Sequence, residues 1–287
     1  MSQSVLFDAP GPRTIRRHRL YAVLTVLVLA GLVALAAYRF QQKGQFAWEK
    51  WEVFTTPEYL EFILVDGLLE TLKMAAGGIV GALVLGVVLG VGKLSDFAVI
   101  RLPCWAVVEV FRAIPVLMLM IVFFFLYGIT HGSTGPFWCV VFALALYNGA
   151  VLAEVFRAGI LAVPTGQSEA AYAIGMRKGQ VMNIVLLPQA VKIMIPAIIS
   201  QCVVTLKDTS LGYAIAAPGL TAVARPIYLE FQNHVPVYIV LAGIYVVVNL
   251  LLTAVAMWVQ KRYVGEKKPL QVSMVGGAGA GAAPPLT

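Results

Sequence analysis

The chain has 287 residues, of which 60% are hydrophobic and 12% charged, and a mean hydropathy of +0.86. Such a composition excludes an ordinary soluble domain and identifies an integral membrane protein. The net charge of +7 does not point to nucleic acid, because the basic residues gather at the ends of apolar runs, where they set topology instead of lining a groove.

Several apolar runs reach the roughly 20 residues that a helix needs to cross about 30 Å of hydrocarbon, and none alternates as a barrel strand would. The predicted fold is all-α, with about six transmembrane helices. Cys104, Cys139 and Cys202 are widely spaced in apolar sequence and odd in number. They read as small packed hydrophobes, not as a disulfide framework or a metal site.

Residues 1–19 hold Pro10, Pro12 and the cluster Arg13, Arg16, Arg17, His18 and Arg19 without an apolar pattern, and read as a loose basic cytoplasmic tail. Leu20 to Tyr38 is an uncharged run behind that cluster with no clear small-residue cleavage site, which favours a signal anchor, its C-terminal end outside, over a removed signal peptide. From 39 to 66, Trp48, Trp51, Phe54 and Tyr59 mix with Glu49, Lys50, Glu52, Glu58 and Glu61. That mixture suits an amphipathic helix at the outer interface, and suits a partly ordered loop equally well. The second span, Gly67 to Gly92, is dense in glycine at Gly77, Gly78, Gly81, Gly86, Gly90 and Gly92, as befits a helix interior to a bundle. Near its start, Glu70 and Lys73 are expected to snorkel to the outer surface.

Lys93 to Arg101 is predicted as a charged cytoplasmic loop, Pro103 to Gly128 as the third span, and Phe137 to Leu161 as the fourth. Ala190 to about Ala217 makes a fifth, Pro218 to Asn233 an outer loop, and His234 to Gln260 a sixth. Residues 261–287 form a low-complexity tail, whose glycines lack the strand and helix context of a dinucleotide fingerprint. Both termini are then cytoplasmic, and every inner loop carries Lys or Arg.

Between the fourth and fifth spans lies a polar insert, residues 164–188. Pro164 ends one span, Thr165 or Gly166 is positioned to cap a short helix, and Glu169 is expected in its first turn, where a carboxylate suits the helix dipole. Ala170, Ala171 and Ala173 favour helix, Gly175 can close it in a left-handed conformation, and a second helix begins near Lys178 and runs to Pro188. The product is helix, tight turn, helix. A polar element of this length in so apolar a chain belongs in water, as a docking element or as a mere inter-span loop.

Glu169-Ala-Ala, Gly175 and Val185-Leu-Leu-Pro188 resemble the EAA signature of bacterial ABC-importer permeases, with Val185 where that family usually has Ile. The stretches 153–160, 163–167 and 206–211 look like the polar amino-acid branch, and the resemblance runs from about Gly67 to Gln260. It implies a five-helix type I permease core at 67–260 preceded by one N-terminal helix, in a bacterial cell membrane. It also implies a coupling role for Gln167, Glu169, Ala170, Ala171, Gly175, Arg177 and Pro188, with the two alanines allowing close contact. The implied partners are two ATP-binding cassette subunits carrying ATP and Mg, a second permease subunit, identical or related, and an extracytoplasmic binding protein. The implied cargo is glutamate, glutamine or a similar polar amino acid, with a basic one left open because Lys207 and Arg157 favour an anion only if Asp208 and Glu154 do not neutralise them. The chain itself carries no Gly-x-x-x-x-Gly-Lys-[Ser/Thr] sequence, so energy is expected from another subunit and no cofactor in this one.

Polar residues inside spans are candidates for the substrate pathway or a gate. Asn148 falls near the midplane of the fourth span, where it can line a pathway or simply tie helices together. Glu109-Val-Phe-Arg112 and Glu154-Val-Phe-Arg157 place acid and base three apart on one helix face, and the resemblance favours Glu154 and Arg157 for the pathway. Lys207, Asp208, Thr209 and Ser210 interrupt the fifth span, a sign of a broken helix lining a cavity, of inter-helical ion pairs, or of an outer helix end that comes before Ala217. Two rival readings remain: a carrier driven by an ion gradient with Asp208 or Glu154 as the coupling carboxylate, and a membrane scaffold whose polar insert recruits a soluble enzyme.

Overall fold

The computed structural model describes residues 11–264. All regular structure among them is helical. Helix α1 (Pro12–Gln42) is followed by short turns of helix at Glu49–Glu52 and Val53–Thr55. Next come α2 (Pro57–Lys93), α3 (Ala98–Ala113), α4 (Val116–Leu126) and α5 (Gly135–Leu161). The described residues end with α6 (Thr165–Ala173), the long helical span α7 (Lys178–Ile215), α8 (Ala224–Phe231) and α9 (His234–Val264). Among the described residues, five helices are long and apolar enough to cross a membrane, and the broken pair α3 and α4, taken as one span, raises the number to six.

The bundle is built on the pair α2 and α5, which run parallel: Gly77 meets Val141, Gly86 meets Leu152 and Gly90 meets Ala153. Their close approach depends on glycine: a Cβ at Gly81 would stand 2.6 Å from the Cβ of Ala145, and one at Gly86 would stand 2.7 Å from the Cβ of Leu152. Lipid tails are as apolar as leucine, so backbone proximity and dispersion hold such a seam where hydrophobicity cannot. Met74, Leu144, Met120 and Ile215 fill one end of the core, and Leu152, Phe156, Ala190 and Met194 fill the other.

Several expected boundaries shift. Helix α1 begins at Pro12, so Arg13 to Arg19 are its first turns and not loose tail, because nothing in that run breaks a helix after a proline at the first helical position. Residues 1–10 and 265–287, where the rest of the two tails was expected, lie outside the described residues. The segment 39–66 is neither one interfacial helix nor a loop. Its short helices clamp onto the region before α9, with Val53 and Ile63 packed among Leu220, Val223 and Ile227, and the second span already begins at Pro57. The Tyr59 hydroxyl donates to Glu230 at 3.0 Å, and Asn233 donates to the Lys50 carbonyl at 3.0 Å. Pro218 to Asn233, expected as a loop, contains α8. Glu70 and Lys73 pair with each other at 2.7 Å.

The third span is not continuous. It starts at Ala98 and turns by 100° between α3 and α4, at Ile114 and Pro115. Pro115 supplies no N–H and pushes Ile114 out of the helical region, to φ −88° and ψ 126°. At the start of α7, the wide helical turn Val181–Leu186 makes room for the ring of Pro188, which would otherwise meet the carbonyl four residues back.

Candidate functional site

The insert after α5 folds as helix, turn, helix. Helix α6 ends in a Schellman arrangement, with the Met176 N–H donating to the Ala171 carbonyl at 3.2 Å and the Gly175 N–H to the Tyr172 carbonyl at 2.9 Å. Gly175 takes φ +84°, which costs any L residue about 1–2 kcal/mol even though a Cβ there would meet nothing. The following turn is closed by the Gln180 side chain, which accepts the Arg177 backbone N–H at 2.9 Å.

Two details differ from expectation. No side chain caps α6: Pro164 stands at the N-cap, and the Ser168 hydroxyl donates to the Thr165 carbonyl at 2.8 Å, leaving Glu169 one turn in. Ala171 faces its own chain at 5% exposure, because neighbours on a helix point about 100° apart and only Ala170 of the two can look outward. Gln167, Glu169, Gly175, Arg177 and Pro188 are exposed. Tyr172 and Ile174, at 49% and 79% exposed, join that surface. The sequence pattern did not single them out, although an isoleucine beside a helix-closing glycine is a detectable signal.

A second feature gathers charge. Lys93, expected in a loop, lies in the last turn of α2 with its side chain 6% exposed and paired to Glu154 of α5. Glu154 also accepts from Arg157 Nε at 3.0 Å, and Glu109 of α3 approaches Lys93 at 3.7 Å and Arg112 at 3.8 Å. The two repeated tetrapeptides thus meet across α3 and α5, with the buried lysine between them. These residues border a cavity of about 660 Å³. On the surface nearby, Lys178 pairs with Asp96, which ties the turn before α3 to the start of α7; both groups are exposed, so the pair contributes about 1 kcal/mol at most.

Lys207 and Asp208 end the α-helical part of α7, and Thr209 begins a tighter 3-10 stretch to Ile215. Among the described residues neither charge has an ion-pair partner, so the inter-helical pairs considered for them do not form. Lys207 and Ser210 border a cavity of about 580 Å³ between α7 and α9, with Tyr245 and Asn249 on its far wall. Thr209 is buried and donates to the Leu206 carbonyl at 2.6 Å. Asn148 is fully enclosed: it donates to the Leu144 carbonyl at 3.0 Å and accepts from Gln201 of α7. Its contacts tie α5 to α7, and it does not border either of these cavities.

With this geometry in view, relatives can be placed. The chain is 40% identical over 222 residues to the glutamate transport system permease protein GluD of Corynebacterium glutamicum, covering 76% of this chain and 81% of that one. It is 36% identical to the arginine transport system permease protein ArtQ of Bacillus subtilis, covering 72% and 94%. The crystal structure of an amino acid ABC transporter with histidines superposes with a TM-score of 0.65 at 30% identity, over 71% of this chain and 95% of its own. The MetNI methionine ABC transporter shares the fold, with a TM-score of 0.60 at 23% identity. Residues 82–265 match the family described as binding-protein-dependent transport system inner membrane component, and the chain belongs to that family.

Proposed function

We propose that the chain is the membrane-spanning permease subunit of an ATP-driven importer of polar amino acids, with glutamate the favoured substrate. The observation that carries this reading is the exposed element α6 with its Schellman turn, set between two spans at one end of the bundle. The printed names of the relatives, glutamate and arginine permeases among them, support the amino-acid class.

In this reading Gln167, Glu169, Ala170, Gly175 and Arg177, together with Tyr172 and Ile174, enter a groove of a cytoplasmic ATPase. Ala171 anchors α6 to its own chain, and Pro188 sets the direction of α7. Two ATPase subunits bind ATP and Mg, a second permease copy, identical or related, completes the pathway, and an extracytoplasmic binding protein delivers substrate. The docking end and both termini face the cytoplasm, in keeping with the arginines at the start of α1 and with Lys261 and Arg262 at the end of α9. Lys207 and Ser210 line the pathway, where an unpaired Lys207 suits a substrate carboxylate, and Asp208 and Thr209 form the change of helix type beside them. Glu154 and Arg157 act as a gate whose ion pairs exchange as α3 and α5 rock, and Asn148 braces α5 against α7.

Uptake into proteoliposomes tests the proposal. Glutamate should accumulate only when the ATPase subunits, ATP and the binding protein are all present; accumulation by this chain alone under an ion gradient would overturn it. Glu169→Lys should lower ATP-driven uptake by about tenfold or more while the subunits still copurify, since a charge-assisted contact of this size would become a repulsion.

A further inference from the structure

The cavity between α2, α3 and α5 is lined by more cations than the gate pair Glu154 and Arg157 accounts for. Four cationic side chains, Lys93, Arg101, Arg112 and Arg157, face two carboxylates, Glu109 and Glu154. The carboxylates are already shared. Glu154 takes Lys93 and Arg157, while Arg112 stands 3.8 Å from Glu109 and 3.9 Å from Glu154, beyond hydrogen-bonding distance of either. Arg112 makes no hydrogen bond among the described residues, though both carboxylates stand within ion-pair distance of it, and its planar five-donor fork lines the cavity. Arg101 is held at the rim by the backbone carbonyls of Ser95 and Asp96, at 3.2 and 3.4 Å. Neutral acceptors position that guanidinium without cancelling its charge. Beside it, Leu102 and Trp105 line the same cavity and are 60% and 53% exposed, which gives the opening an apolar, interface-seeking lip.

We propose that this cavity is a phosphate-binding site, taking the phosphodiester of an anionic phospholipid headgroup or a free phosphate. Excess positive charge beside hydrocarbon is costly unless an anion accompanies it, and guanidinium forks match phosphate oxygens two at a time. A headgroup would set its phosphate between Arg101 and Arg112 and lay its acyl chain over Leu102 and Trp105, the arrangement expected of a basic pocket between membrane helices. The inference stands on these contacts and is independent of what the protein transports.

Native mass spectrometry on the full chain in detergent tests it, with phosphatidylglycerol, phosphatidylcholine and inorganic phosphate as probes. The wild type should retain phosphatidylglycerol over phosphatidylcholine, and inorganic phosphate should compete. Arg101→Gln and Arg112→Gln should each weaken retention about fivefold, whereas Arg225→Gln, the same charge change far from the cavity, should leave it unaltered. The pair Arg101→Lys and Arg112→Lys should keep most of the binding, which separates lost charge from lost folding. Arginine-dependent binding of inorganic phosphate with no preference between the lipids would assign the site to a free anion. Retention that ignores Arg101 and Arg112 for every probe would overturn the proposal.

Discussion

Helices α1 and α5 are both long enough to cross a membrane, and α1 is the more apolar, yet none of its apolar stretch is buried against the rest of the chain while 61% of that of α5 is. The difference lies in what the two present to a neighbour. Along α5, Ala145, Gly149, Leu152 and Ala153 meet glycines and alanines of α2 at backbone distance. Along α1, the single glycine, Gly31, has nothing within 4 Å of where its side chain would be. Apolarity therefore decides residence in the bilayer, and small residues in register decide which helices touch. A second distinction follows, because α5 also carries charge into the bundle, which only a partner helix can make tolerable.

Three substitutions break or sharpen this comparison. The largest effect is expected from Glu154→Ala, which strands Lys93 at 6% exposure with only Glu109 near it. Removing one partner of a buried pair costs about 3 kcal/mol, to be read as a lowered unfolding midpoint in detergent. If Glu154→Ala melts like wild type, Lys93 is hydrated and the buried-pair account fails. Next, Gly86→Leu should cost about 2–3 kcal/mol by forcing α2 away from Leu152 and Phe156, and a double change with Leu152→Ala should recover part of the loss if the seam is the cause. The smallest effect is expected in α1, where Leu27→Ala should shift stability by less than about 0.5 kcal/mol, since Leu27 is 62% exposed and no buried contact of it is lost. A loss of similar size to that in the seam would mean that α1 packs against another protein chain.

Much of this was legible in the residues. The spans, the interior placement of the glycine-rich helix and the helix, turn, helix form of 165–188 all follow from local patterns: uninterrupted apolar length, small residues at helical spacing, and a glycine two positions past a run of alanines. Legibility failed where a single residue is reinterpreted by something far away. Lys93 reads as the first residue of a charged loop, and it becomes the centre of an ion-pair cluster because Glu154, 61 positions on, lies across the α2 and α5 seam. Ala170 and Ala171 are alike as letters, and the direction in which α6 sits on its own chain separates them. The 100° break before Pro115 was visible in the proline alone, but an apolar run on both sides hid it.

The amino-acid sequence by itself determined that this protein lives in a membrane, how many times it can cross, and where it offers a polar element to water, since these depend on transfer energies and backbone preferences that act within a few residues. Which charges neutralise one another, which face of α6 is free, and that a cationic cavity opens between α2, α3 and α5 were decided only by the tertiary structure. Those properties depend on electrostatic and packing distances between residues that the chain separates by scores of positions, and only the folded bundle sets those distances.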